Sequence, residues 1–148
     1  MAAPVRIALV GYGYWGPNVL RNLFELQEAE VVAVCDARPE ALDKARRRYP
    51  GLATTTDYVD LLANDAIDAI AITTPVSSHF ELAWSALEAG KHVFVEKPLA
   101  SSSAEAVSLA EFASEQQLVL MPGHTFLYSP PVNMIRELTQ TAARIKTQ

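Results

Sequence analysis

"LVGYGYWGPN" (Leu9–Asn18) sets three glycines, Gly11, Gly13 and Gly16, at the spacing G-x-G-x-x-G. The run before it, Val5–Val10, is apolar and strand-like. The run after it carries Val19, Leu20, Leu23 and Phe24 on one helical face, with Arg21, Asn22 and Glu25 opposite. A glycine triplet between a strand and a helix has a defined physical use. Gly11 permits a tight turn, Gly13 lets a diphosphate approach the backbone, and Gly16 lets helix and strand pack closely, while the helix N-terminus presents free N–H groups to the phosphates. The interleaved rings need not obstruct this, because peptide N–H groups bind the anion. Tyr12 is expected to pack aside, with Tyr14 and Trp15 walling the site from the first turn of the helix.

A second strand-like run, Val31–Cys35, ends on Asp36, twenty positions beyond Gly16. A carboxylate at that strand end accepts hydrogen bonds from the ribose of an adenosine and repels a 2′-phosphate. The expected coenzyme is therefore NAD, with Arg38 close enough to leave NADP open.

The strand and helix signals keep alternating. Pro39 opens a helix whose last turn holds Arg46, Arg47 and Arg48, where cations complement the helix dipole. An extended piece over Leu52–Thr54 leads to a helix over Asp57–Ala63 and a strand over Ile67–Ile72. The next helix has Phe80, Ala83, Trp84 and Leu87 at core spacing and stops at Gly90. After a strand over Val93–Val95, Ser102 and Glu105 form a capping box for a helix to Gln116, followed by a strand over Leu118–Met121. Beyond "YSPP" an amphipathic helix is expected over Val132–Thr141. Apolar strands each followed by a helix predict an α/β, doubly wound parallel sheet, the Rossmann fold, in a single domain. That domain is placed at residues 1–128, with 129–148 as a terminal helix and the start of a connection.

Composition narrows the function classes. The chain has 148 residues, half of them hydrophobic, enough for a real core, and its longest apolar runs are only strand-sized. No export signal is expected before the first strand, and Cys35 reads as a buried, reduced thiol, so a cytoplasmic setting is expected. A net charge of -5 argues against a nucleic-acid partner, no membrane partner is expected, and no metal ligand set is assigned.

Two further segments, "TTPVSSHFE" and "VEKPL", follow the fourth and fifth strands, at the sheet edge where ligands of parallel sheets bind. Thr73, Thr74 and Pro75 are placed to border the coenzyme, and Lys97 to project toward the reacting carbon. Together "GYGYWGPN", "VCD", "TTPVSSH", "VEKPL" and "GHTFLYSP" resemble the N-terminal coenzyme domain of the Gfo/Idh/MocA oxidoreductases, relatives of glucose-fructose oxidoreductase and inositol dehydrogenase. The resemblance implies hydride transfer between a nicotinamide cofactor and a secondary alcohol of a sugar, nucleotide sugar or cyclitol. It also implies that Lys97 is the catalytic lysine, that Glu96 helps hold the coenzyme, and that Pro98 sits in a cis peptide directing Lys97.

Ser78 and Glu81 have capping-box spacing, His79 either reaches the coenzyme or packs, His92 is expected to be structural, and His124 is the histidine expected to face substrate. Relatives of the family carry a second domain, which is expected to be missing here, so the chain is expected to bind coenzyme yet be catalytically incomplete. Apolar surface left by that absence is expected to favour a homo-oligomer. Two alternatives stand beside this reading: a non-catalytic dinucleotide sensor or interaction module, and a methyltransferase, whose cofactor also uses a glycine turn and an acidic residue.

Overall fold

The computed structural model describes residues 3–145. Six strands alternate with helices: β1 (Val5–Val10), α1 (Gly16–Glu25), β2 (Ala29–Cys35), α2 (Pro39–Arg48), β3 (Ala53–Thr55), α3 (Tyr58–Leu62), β4 (Ala69–Ile72), α4 (His79–Glu88), β5 (His92–Val95), α5 (Ser103–Glu115), β6 (Leu120–Pro122) and α6 (Pro130–Ile145). The strands form one sheet in the order β3-β2-β1-β4-β5-β6, and every pairing is parallel. The fold is the expected Rossmann-type α/β sheet.

Alternation along the strands divides the core into two layers, because successive side chains point to opposite faces. Ala8, Val10, Ile70, Ile72, Val93 and Val95 pack with Ala83, Ala86 and Leu87 of α4 and Leu109 of α5. Leu9, Val34 and Ala71 face the other way, onto Leu20 of α1 and Ala41, Leu42 and Ala45 of α2. Tyr12 joins this second layer, aside from the glycine loop as expected.

Local chemistry sets the element ends. Gly90, at φ 73°, closes α4: its N–H bonds Leu87 O and the Lys91 N–H bonds Ala86 O, the paired pattern that satisfies two terminal carbonyls. The Ser102 hydroxyl accepts the Glu105 N–H at 3.2 Å, whereas the Glu105 carboxylate reaches Ser101 N rather than Ser102 N, so the reciprocal arm of the box lies one residue early. Asp57 caps α3 by accepting from Val59 N at 2.9 Å.

Four expectations need correction. Ser78 does not cap α4; its hydroxyl donates to Pro75 O and Thr74 Oγ1 instead, inside a helical turn over Val76–Ser78 that feeds α4. β4 begins at Ala69 rather than Ile67, because the Ile67 N–H is still bonded to Asn64 O in the preceding turn. β6 begins at Leu120, because the Leu118 N–H closes α5 on Ala113 O. α6 begins two residues earlier and runs four residues further than Val132–Thr141. The last part of the segment assigned to a connection, residues 146–148, lies outside the described residues. Among the described residues, no helix is long and apolar enough to cross a membrane.

Candidate coenzyme site

All six strand ends open on one rim, and a cleft of about 800 Å³ lies there over the β1–β2–β4 ends, a size usual for small-molecule sites. Its floor is the glycine loop. Gly11 has φ 94°, and a methyl group on it would sit 2.9 Å from the backbone N and the Cγ2 of Thr74. A methyl on Gly16 would collide with the Gly11 carbonyl, so this glycine is what lets α1 seat against the turn. A methyl on Gly13 would meet only the Arg38 guanidinium, at 3.6 Å, so that side of the backbone is open to the cleft. Among the described residues, no acceptor in the chain takes the N–H of Gly13, Tyr14 or Trp15. Three unspent donors beside a helix N-terminus are what a diphosphate needs.

Thr73 is less a ligand than a clasp. Its backbone N–H bonds Val10 O, and its hydroxyl donates to Gly11 O at 2.6 Å, which fixes the loop from the β4 side. Thr73, Thr74 and Pro75 all line the cleft. So do Tyr14 and Trp15, stacked on each other with ring centres 6.2 Å apart; Tyr14 is 93 % exposed.

Asp36 borders the cleft, buried apart from its edge. One carboxylate oxygen accepts the Tyr12 N–H at 2.7 Å, and the other accepts the Arg38 N–H at 2.9 Å. The Arg38 guanidinium forks across both, at 3.0 Å to each. Burial by itself would raise this acid; the Arg38 side chain, with the two peptide donors, outweighs burial and holds the carboxyl below its usual value. Asp36 is thus a fixed anion, and Arg38, half exposed, is a cation free on its solvent side.

The remaining expected residues lie beyond the cleft lining. Lys97 is exposed at the end of β5, its N–H accepted by Glu96 Oε2 at 3.1 Å. Glu96 is buried against Gly123, and the Lys97–Pro98 peptide is cis, as the resemblance implied. His124 is exposed directly after β6. His92 is structural, its Nδ1 accepting Val119 N–H. His79 packs: its ring is buried, and both nitrogens sit at main-chain carbonyls.

A family model described as "Oxidoreductase family, NAD-binding Rossmann fold" (GFO_IDH_MocA) matches residues 5–124. The chain belongs to the Gfo/Idh/MocA family. It is similar to the 4-carboxy-2-hydroxymuconate-6-semialdehyde dehydrogenase of Sphingobium sp. (strain NBRC 103272 / SYK-6), at 36% identity over 85% of this chain and 40% of the relative. It is 32% identical to the dTDP-3,4-didehydro-2,6-dideoxy-alpha-D-glucose 3-reductase of Saccharopolyspora spinosa, over 95% of this chain and 42% of the relative. Among solved structures it resembles KijD10, a 3-ketoreductase from Actinomadura kijaniata in complex with NADP and TDP-benzene, with a TM-score of 0.86 and 29% identity over 93% of this chain and 42% of that one. The chain spans 40% and 42% of the length of these two curated relatives. Membership gives the chain its cofactor class, a nicotinamide dinucleotide, and leaves the methyltransferase alternative without support.

Within this Gfo/Idh/MocA domain, sequence reading overlooked the far wall of the cleft. Thr56 and Tyr58, after β3, and Leu82, on α4, line it, and the Tyr58 hydroxyl donates to Leu82 O at 2.7 Å. The signal was topological: a segment following a third parallel strand must emerge on the same rim.

Proposed function

We propose that this chain is the coenzyme-binding part of an NAD(P)-dependent oxidoreductase that interconverts a secondary alcohol and a ketone on a sugar, nucleotide sugar or cyclitol. The observation that carries the reading is the order of groups along one rim. Asp36 follows β2, the unspent N–H cluster follows β1, Thr73–Pro75 follows β4, Lys97 follows β5 and His124 follows β6. That order runs from an adenosine end to a reacting end. The sugar-related names among the relatives support the substrate class.

The coenzyme, when bound, exchanges hydride with the carbinol carbon. The chain's own residues do the rest. Gly13, Tyr14 and Trp15 hold the diphosphate through their N–H groups, and Asp36 accepts the ribose hydroxyls as Arg38 turns outward. NAD is the expected partner, and Arg38, released from Asp36, can meet the 2′-phosphate of NADP. Lys97 hydrogen-bonds the reacting oxygen and carries its proton, held in direction by Glu96 below and Pro98 behind. His124 faces the substrate from the neighbouring strand. The chain acts in the cytoplasm and engages neither nucleic acid nor membrane. It binds coenzyme.

Fluorescence titration with NADH and NADPH tests this. NADH is expected to bind, with Asp36→Ala weakening it by about 10- to 100-fold, the loss usual for a hydrogen bond to a charged group. Lys97→Ala is expected to leave NADH affinity within about twofold, since a residue acting on the reacting oxygen contributes little to coenzyme binding. Failure of the wild-type chain to bind either dinucleotide overturns the proposal.

A further inference from the structure

His79, the first residue of α4, is 2 % exposed, and among the described residues its ring nitrogens find main-chain carbonyls as partners. Nδ1 lies 2.8 Å from Pro98 O, and Nε2 lies 2.8 Å from Thr74 O. These carbonyls belong to two different loops. Thr74 lies in the loop after β4, which lines the cleft and backs onto Gly11. Pro98 follows Lys97 in the loop after β5.

A neutral imidazole has one N–H and one lone pair, so it donates to one carbonyl and turns its lone pair on the other. The ring therefore stands between two acceptors, one on each loop, and a displacement of either carbonyl bears on the contact at the other nitrogen. Burial obliges both ring nitrogens to find partners, and those they find lie on two separate loops, so the ring bridges them. Among the described residues, a second hydrogen bond across these loops is longer, from the Ser101 hydroxyl to Val76 O at 3.4 Å. The main chain at Lys97 is thereby gripped from two sides, by Glu96 Oε2 at its N–H and by His79 at the carbonyl of the next residue.

We infer that His79 is a positioning residue that couples coenzyme occupancy of the cleft to the direction of Lys97. The inference rests on the reading of Lys97 and the cleft proposed above. A ligand seated against Thr74 and Pro75 bears on the peptide that Nε2 holds, and the ring transmits that load to the carbonyl beside Lys97.

The test uses the 148-residue chain with its lysines reductively ¹³C-methylated, the Lys97 signal being identified by its loss in Lys97→Arg. NAD+ and NADP+ are titrated while the Lys97 methyl signal and the His79 imidazole ¹⁵N signals are followed by NMR. In the wild type both sets of signals move with occupancy. In His79→Gln, whose amide N–H stands near the Nε2 position, affinity is kept and the Lys97 response is lost. In His79→Asn, whose amide stands near Nδ1, the Lys97 response is likewise lost and affinity falls.

Binding with no movement of the Lys97 or His79 signals in the wild type overturns the inference and spares the proposed function. That measurement needs no variant, so a failure of either substitution to fold does not block it. A full Lys97 response retained in both variants overturns it equally, by showing a merely structural histidine. Absence of binding by the wild type overturns both.

Discussion

Cys35 and Asp36 stand side by side at the end of β2, and burial pushes both acids toward their neutral forms. Asp36 is compensated by Arg38 and two peptide donors; Cys35 has no such donor, and burial, with the negative charge of Asp36 behind it, pushes its thiol up to about 11. At pH 8 only about a thousandth of the folded chain then carries a thiolate, so an aromatic disulfide reagent is expected to label Cys35 only after denaturant is added. The folded value lies above the unfolded one of roughly 8.5, so this group's contribution to stability is full below that pH and is lost as pH rises toward 11, which denaturant midpoints across that range will show. Gly11, Gly13, Gly16 and Asp36 were legible from sequence because each answers a local need, a turn, an approach or a strand end. His79 was not, because its meaning lies in two carbonyls 5 and 19 positions away, brought together only by the sheet.

At the scale of the element, α4 and α5 end in the same hydrogen-bonding pattern with different residues. Gly90 takes the left-handed position after α4; Gln117 takes it after α5, at φ 57°, with its N–H on Ser114 O and the Leu118 N–H on Ala113 O. A side chain at that angle is strained, and glycine is not. Gln117→Gly is therefore expected to stabilise the chain by about 0.5–1 kcal/mol, seen as a rise of roughly 1.5–3 °C in the thermal midpoint. Helix existence and order were readable because hydrophobic period and caps agree over ten or more residues. Short strands were less so: apolar Ile67 and Leu118 look like strand residues, yet their N–H groups belong to turns, a fact of hydrogen bonding that hydropathy does not carry.

Over the whole molecule, parallel connectivity brings the loops after all six strands to one rim, which is why motifs spread from Leu9 to His124 converge on a single site. The opposite property belongs to α6. Met134, Ile135 and Leu138 are each more than 60 % exposed on it, and Phe126 and Tyr128 are exposed just before it. Apolar area of that kind favours association, so light scattering is expected to show mass rising with concentration, reduced when Met134, Ile135 and Leu138 are exchanged for glutamine. The two tryptophans divide along the same lines as the fold. Trp84 is sandwiched between Phe80 and Phe112 in the packed layer, while Trp15 stands in the wall of the cleft. Replacing the first with phenylalanine would leave a single indole whose emission reads the filling of the crevice, giving the molecule an optical gauge at the place where its chemistry begins.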